Sequence, residues 1–269
     1  MSALSPTKVP VPQMKGLCLD SEVNGAPFYV MQFVDGFILR DAATVDRSLE
    51  VPARHAAGNS VAETLAALHS VDVDEVGLGD LARRDAYIAR QLKRWIGQYE
   101  QSPVEGVDTS STVRRAHDLL AARIPEQVGT TIVHGDYRLD NLVIGPDGRV
   151  RAVLDWELCT LGDPMADLGL LMVYWNDPGD EEVLAGVNAT SVDGFPSREE
   201  MASRYAATSG RDLADLDFYM AFGYFKLACI LQGVAHRYAG GAAAGDRSGV
   251  DGFAPMVLRL ADIALEHLE

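Results

Sequence analysis

Cysteine is scarce and unpaired. Cys18, Cys159 and Cys229 are the three thiols of the 269-residue chain and form no C-x-x-C pair, which excludes a disulfide framework and gives no sign of a structural zinc site. A reducing compartment is expected. Positive charge is in deficit: 23 Lys and Arg stand against 39 Asp and Glu, a formal net charge of −16. A field of that sign repels phosphate backbones and anionic membranes, so neither a nucleic acid nor a membrane is expected as a partner. The first thirty residues hold Pro6, Pro10, Pro12 and Pro27 but no long apolar run, hence no secretory signature, and a cytoplasmic location is the expectation. Glycine signatures for phosphate are missing too. There is no G-x-x-x-x-G-K-[ST] and no G-x-G-x-x-G, since Gly77-Leu78-Gly79 stands alone and the run Gly240 to Gly245 meets Asp246 rather than lysine. None of the six histidines pairs with another at helical spacing, which argues against a zinc hydrolase.

What is present is ordinary globular material. Hydrophobic residues make up 48% and charged residues 23%, enough for a sizeable core, and the length allows one large domain or two modest ones. Leu216 to Ala235 has the length of a membrane span, but Asp217, Lys226 and Gln232 interrupt it. A central lysine costs roughly 2.5–3.5 kcal/mol on insertion, so a buried core helix is predicted.

Along the chain the period changes twice. The turn Asn24-Gly25-Ala26-Pro27 leads into a β run from Phe28 to Gly36. Helices are predicted over 59–69, 85–100 with the stripe Ile88, Leu92, Trp95, Ile96 and Tyr99, and 113–124, stopped by Pro125. Strands return at 131–133, 142–144 and 150–154, the last two joined by the turn Gly145-Pro146-Asp147-Gly148. Helices follow at 164–175, 198–208, 216–238 and 253–268, with a flexible break at Gly240 to Gly245 before the last.

The informative segment is His134-Gly135-Asp136-Tyr137-Arg138-Leu139-Asp140-Asn141, followed by Asp155-Trp156-Glu157 at the end of the returning strand. A carboxylate after one strand, an amide oxygen five residues on and a second carboxylate brought back by a hairpin can meet at one point. Phosphoryl transfer needs that set: a carboxylate to take the proton of the attacking hydroxyl, and hard oxygen ligands to hold magnesium against nucleotide phosphates. Asp136 is the predicted base; Asn141 and Asp155 are the predicted metal ligands. Asp163 before Pro164 fits a helix cap, and Glu157 either supports the metal indirectly or ends the strand. Arg83, Arg84, Arg90, Lys93 and Arg94 form a basic group opposite the apolar stripe of the 85–100 helix, expected to be a solvated face, the other reading being a dock for a phosphorylated substrate.

These motifs, with Gly162-Asp163-Pro164-Met165-Ala166-Asp167-Leu168-Gly169, resemble the phosphotransferase enzyme family of aminoglycoside and choline kinases. Pro27-Phe28-Tyr29-Val30-Met31 with Val34-Asp35-Gly36 looks most like the kinase domains related to those fused to some acyl-CoA dehydrogenases. The resemblance implies an α+β, protein-kinase-like fold: a mostly helical large lobe over 36–269 with an embedded β-hairpin catalytic loop, and a fragment of the small β lobe with the hinge over 1–35. It implies ATP and Mg2+ as cofactors and a small-molecule hydroxyl as substrate, either a hydroxyacyl-CoA or hydroxy acid, or an aminoglycoside-like compound. By resemblance, Met31 is the gatekeeper, the backbone of Gln32, Phe33 and Val34 holds adenine, and Arg138 stabilises charge on the transferred phosphate. His134 and Asp167 support the loop.

The chain departs from the family at its start. Only thirty residues precede Met31, where a complete small lobe needs roughly 55, and no glycine-rich loop or strand lysine is found there. The expected explanation is a start downstream of the true one, with Met1-Ser2-Ala3-Leu4 as the tail of a small-lobe helix; the other is a remnant with the catalytic lobe intact. The same gap motivates a second functional reading, a non-catalytic kinase-like binding or interaction protein.

Overall fold

After a 3-10 turn at Ser2–Leu4 the chain forms two strands, the second carrying the apolar run around Phe28. In a computed structural model, which describes residues 1–105, 108–184, 186–240 and 250–269, β1 (Met14–Cys18) pairs antiparallel with β2 (Phe28–Met31). Between them lies the short helix α1 (Ser21–Asn24), closed by Gly25 at φ +76°. β2 stops earlier than the apolar run predicts. Gln32 N–H still reaches Gln13 O at 2.8 Å, after which the chain leaves the hairpin with Phe33 84% exposed. It joins the main body at Phe37, whose backbone exchanges hydrogen bonds of 2.8 and 2.9 Å with Ile144. Glycine is needed just before, because a Cβ on Gly36 would stand 2.6 Å from Val143 Cγ1.

Four helices follow: α2 (Ala42–Ser48), α3 (Val51–His69), α4 (Tyr87–Glu100) and α5 (Ser110–Ala122). The first was not anticipated, and α3 begins eight residues before the predicted Asn59. Asp41 starts α2 by accepting Thr44 N–H at 2.6 Å, and Pro52 sits in the first turn of α3, where its missing N–H has no helical partner to lose. α3 is buried around most of its circumference, from Arg54 through Ala57, Val61, Ala62, Leu65 and His69, so it lacks the polar face that gives a surface helix its period. α4 shows the stripe: Ile88, Leu92, Trp95 and Tyr99 are buried, while Ile96 is half-buried.

β3 (Thr131–Val133) pairs with β6 (Thr160–Gly162), a three-residue strand absent from the sequence reading, and β4 (Leu142–Ile144) pairs with β5 (Val150–Val153). Both pairs are antiparallel. Pro10 O accepts Val153 N–H at 2.8 Å, so the N-terminal segment lies along β5, with Leu4 and Val9 buried in the core. α6 (Met165–Tyr174), α7 (Arg198–Ser209), α8 (Leu216–Ala239) and α9 (Val250–Glu266) complete the chain. α7 opens with a capping box between Ser197 and Glu200 and closes at Gly210, φ +71°. α8 is long and apolar enough to cross a membrane, yet most of it is buried within the protein against α4, α5, α6 and α9. It is the core helix that the interrupting Lys226 indicates. The expected break at Gly241 to Gly245 lies outside the described residues.

Candidate active site

β3 delivers the chain from the core into a tight turn. Gly135 has φ +84°, and a Cβ there would meet Leu158 O at 2.9 Å, so glycine is required between His134 and Asp136. Asp167, 1% exposed in the first turn of α6, accepts His134 N–H at 2.6 Å and Gly135 N–H at 2.8 Å, one on each carboxylate oxygen. His134 is fully buried and bonds Leu154 O through Nε2 at 2.8 Å. A carbonyl only accepts, so Nε2 carries the proton and Nδ1 is left to accept Asp136 N–H at 3.3 Å. The His134 ring also packs against Trp156 at a tilt of 55°, centroids 4.8 Å apart, and Tyr137 is anchored through its hydroxyl to Val61 O of α3 at 2.9 Å.

Asn141 draws the predicted residues together. Its Nδ2 donates to Asp136 Oδ2 at 2.9 Å and to Asp136 O at 2.8 Å, while its backbone carbonyl accepts Leu154 N–H at 2.8 Å. The first pair ties Asn141 to Asp136. The second sets it beside the strand end that carries Asp155, an exposed residue in the left-handed region at φ +59°. Since Nδ2 is committed, Oδ1 is the atom Asn141 has left for a cation. Among the described residues no side chain pairs with Asp155, and no cluster of three or more His, Cys, Asp or Glu side chains could hold a metal. One carboxylate and one amide oxygen fit magnesium, which keeps several waters and takes its remaining ligands from substrate phosphates.

Arg138 reaches the same loop. Its guanidinium pairs closely with Asp140, lies 3.9 Å from Asp136 Oδ2 and stands 4.8 Å over the Tyr174 ring. Its Nε is buried without a hydrogen-bond partner. Burial raises the Asp140 carboxyl above its ordinary value, opposed by Arg138 and Arg40. Glu157 is exposed in the turn after β5. Asp163 Oδ1 accepts Met165 N–H at 3.0 Å at the head of α6, with Tyr219 OH on its other oxygen at 2.8 Å.

The residues expected to hold adenine stand at and beyond the end of β2. Met31, Gln32 and Phe33 are exposed and Val34 is half-buried, and the chain after them meets the β4–β5 hairpin at the Phe37–Ile144 bridge. The basic group on and before α4 is largely occupied: Arg84 pairs with Asp74, Arg83 with Asp85, and Arg90 bonds Arg83 O. Sequence reasoning missed two supports of the loop. His69, at the end of α3, lies 3.3 Å from Asp167 Oδ2 and 2.8 Å from Tyr205 OH. Lys226 of α8 donates to Gly135 O. The signal available for the second was a lone charge inside an apolar helix.

A model of the phosphotransferase enzyme family matches residues 1–202, three quarters of the chain. The chain belongs to the phosphotransferase enzyme family. Among curated proteins, this family member is 38% identical over 247 residues to acyl-CoA dehydrogenase family member 10 of Mus musculus, covering 90% of the chain and 23% of the relative. It is 34% identical to acyl-CoA dehydrogenase family member 11 of Homo sapiens, covering 96% and 33%. The chain thus spans about a quarter to a third of these relatives. A crystal structure from Ralstonia eutropha JMP134, assigned as an aminoglycoside phosphotransferase, is 34% identical with a TM-score of 0.82, covering 99% of this chain and 80% of that one. A choline/ethanolamine kinase family protein from Mesorhizobium loti (TM-score 0.59, 16% identity, 96% and 78% covered) and a GDP complex of aminoglycoside 2'-phosphotransferase-IIIa (0.61, 14%, 97% and 78%) share the fold. The architecture is that of the protein-kinase-like phosphotransferases, about half helical with small sheets.

Proposed function

We propose that the chain transfers the γ-phosphoryl group of magnesium-bound ATP to a hydroxyl of a small molecule. The observation that carries this reading is the junction at Asn141, which bonds Asp136 through its side chain and the strand leading to Asp155 through its backbone. Asp136 accepts the proton of the acceptor hydroxyl, its Oδ2 fixed by Asn141 and its Oδ1 turned to the substrate. Arg138, 3.9 Å from that carboxylate, balances charge on the phosphoryl oxygens. Asn141 Oδ1 and the Asp155 carboxylate hold magnesium, which when bound neutralises the nucleotide phosphates and lets an acidic protein accept an anionic ligand. The backbone of Gln32, Phe33 and Val34, behind Met31, receives adenine; the guanine nucleotide in a structure of the same fold supports a nucleotide here.

For the acceptor, relatives named as acyl-CoA dehydrogenases favour a hydroxyacyl thioester or a hydroxy acid. The net charge of −16 favours a cationic aminoglycoside, and assay of both classes decides between them. Calorimetry with Mg-ATP, followed by phosphate-transfer assays, tests the reading. Asp136→Ala is expected to lower transfer by at least about 100-fold with Mg-ATP affinity changed less than about threefold. Unchanged turnover removes Asp136 as the base. Tight nucleotide binding without transfer to any acceptor leaves the binding-protein reading.

A further inference from the structure

α8 carries a charge into the core. Lys226 is 7% exposed, and among the described residues no carboxylate lies within ion-pair distance of it. Its Nζ donates to the carbonyl oxygen of Gly135 and stands 5.4 Å from the centroid of the Trp95 ring. Burial draws the ammonium pKa down; Asp136 and Asp167 oppose that shift and Arg94 adds to it. A buried ammonium with one backbone acceptor is an unfavourable way to fill core space that methionine would fill without a charge. Its place in the loop accounts for it. Gly135 O belongs to the peptide unit that leads into Asp136, and the N–H of the same unit rests on His134 Nδ1 at 3.3 Å. The N–H on the other side of Gly135 is held by Asp167. α6 therefore grips one side of Gly135 and α8 the other.

We propose that Lys226 is a positioning residue whose bond to the Gly135 carbonyl fixes the Gly135–Asp136 peptide plane and so the direction in which the Asp136 carboxylate is presented. The function of that presentation rests on Asp136 being the base; the clamp itself does not. Charge matters to the arrangement as well as shape, because a cation donates to a carbonyl more strongly than a neutral group and tolerates the nearby Asp136 and Asp167 carboxylates.

Amide hydrogen exchange measured by NMR on the ligand-free chain tests the clamp. In K226M, exchange at Gly135 and Asp136 is expected to quicken about tenfold or more, while amides inside α6 and α8 and the melting midpoint stay or rise. K226R, which retains donor and charge, is expected to keep the slow exchange. Loop amides at the rate of the unsubstituted chain in K226M overturn the proposal, as do loop and core amides that quicken together, which would make Lys226 ordinary packing. The unsubstituted chain provides a check that does not depend on either variant folding. Its Lys226 ammonium protons are expected to be protected from solvent, and a freely exchanging ammonium overturns the clamp. In phosphate release from Mg-ATP, K226M is expected to lose kcat with KM unchanged and K226R to restore it. No release by the unsubstituted chain counts against the proposed function, and the exchange result still decides Lys226.

Discussion

Asp167 accepts hydrogen bonds from three places with two oxygens: the His134 and Gly135 amides of the turn before Asp136, and the His69 ring from the far end of α3. Burial alone would raise its pKa, and His69 together with these backbone donors outweighs it, so the carboxyl is held below the ordinary range. Burial lowers the His69 pKa in turn, with Asp167 opposing. Between that lowered value and about 6.5, the folded chain binds fewer protons than the unfolded one, so stability falls as pH drops below about 6.5 and Asp167 adds a further loss below about 3.9. Melting temperatures measured across this interval should decline in the unsubstituted chain and flatten near the upper end in His69→Gln. The pairing of the proposed base Asp136 with Asn141 was legible because the two sit five residues apart in one loop. Their supports were not: His69 meets Tyr205 across 136 residues and Lys226 meets Gly135 across 91, and spacing carries no record of such contacts.

The β4–β5 hairpin is the element that brings Asp155 back to Asn141, and its turn is packed as well as bent. Gly148 has φ +77°, and a Cβ there would lie 2.3 Å from Ala53 O of α3. Gly148→Ala is expected to cost at least about 1–3 kcal/mol in urea unfolding, since a left-handed non-glycine residue and a backbone clash add. It should impair transfer further by tilting β5. A substitution that leaves both unchanged would remove this turn as the support of the site. The Gly-Pro-Asp-Gly sequence made the hairpin readable, and the stripe on α4 did the same for that helix. α2 and the first half of α3 were hidden for opposite reasons: the one is seven residues long and the other has no solvated face to set against a buried one. β6 is three residues of a strand that only its pairing with β3 defines.

At the scale of the whole molecule, 39 acidic residues against 23 basic ones produce mutual repulsion that the exposed ion pairs offset weakly. Raising ionic strength from about 0.01 M to about 0.15 M shortens the screening length from about 30 Å to about 8 Å. The melting temperature should therefore rise with sodium chloride; a fall would mean that the surface ion pairs outweigh the net charge. The kinase-like architecture itself was legible because its three motifs occur in order at the separations a strand, a loop and a hairpin need. The three tryptophans of the chain have a practical consequence. Trp95 lies beneath the Lys226 ammonium, Trp156 packs against His134, and Trp175 lines the small pocket that Arg138 also borders. Every native fluorophore of the indole type thus reports from the edge of one loop, so the protein's own emission can follow ligand arrival without a label being attached.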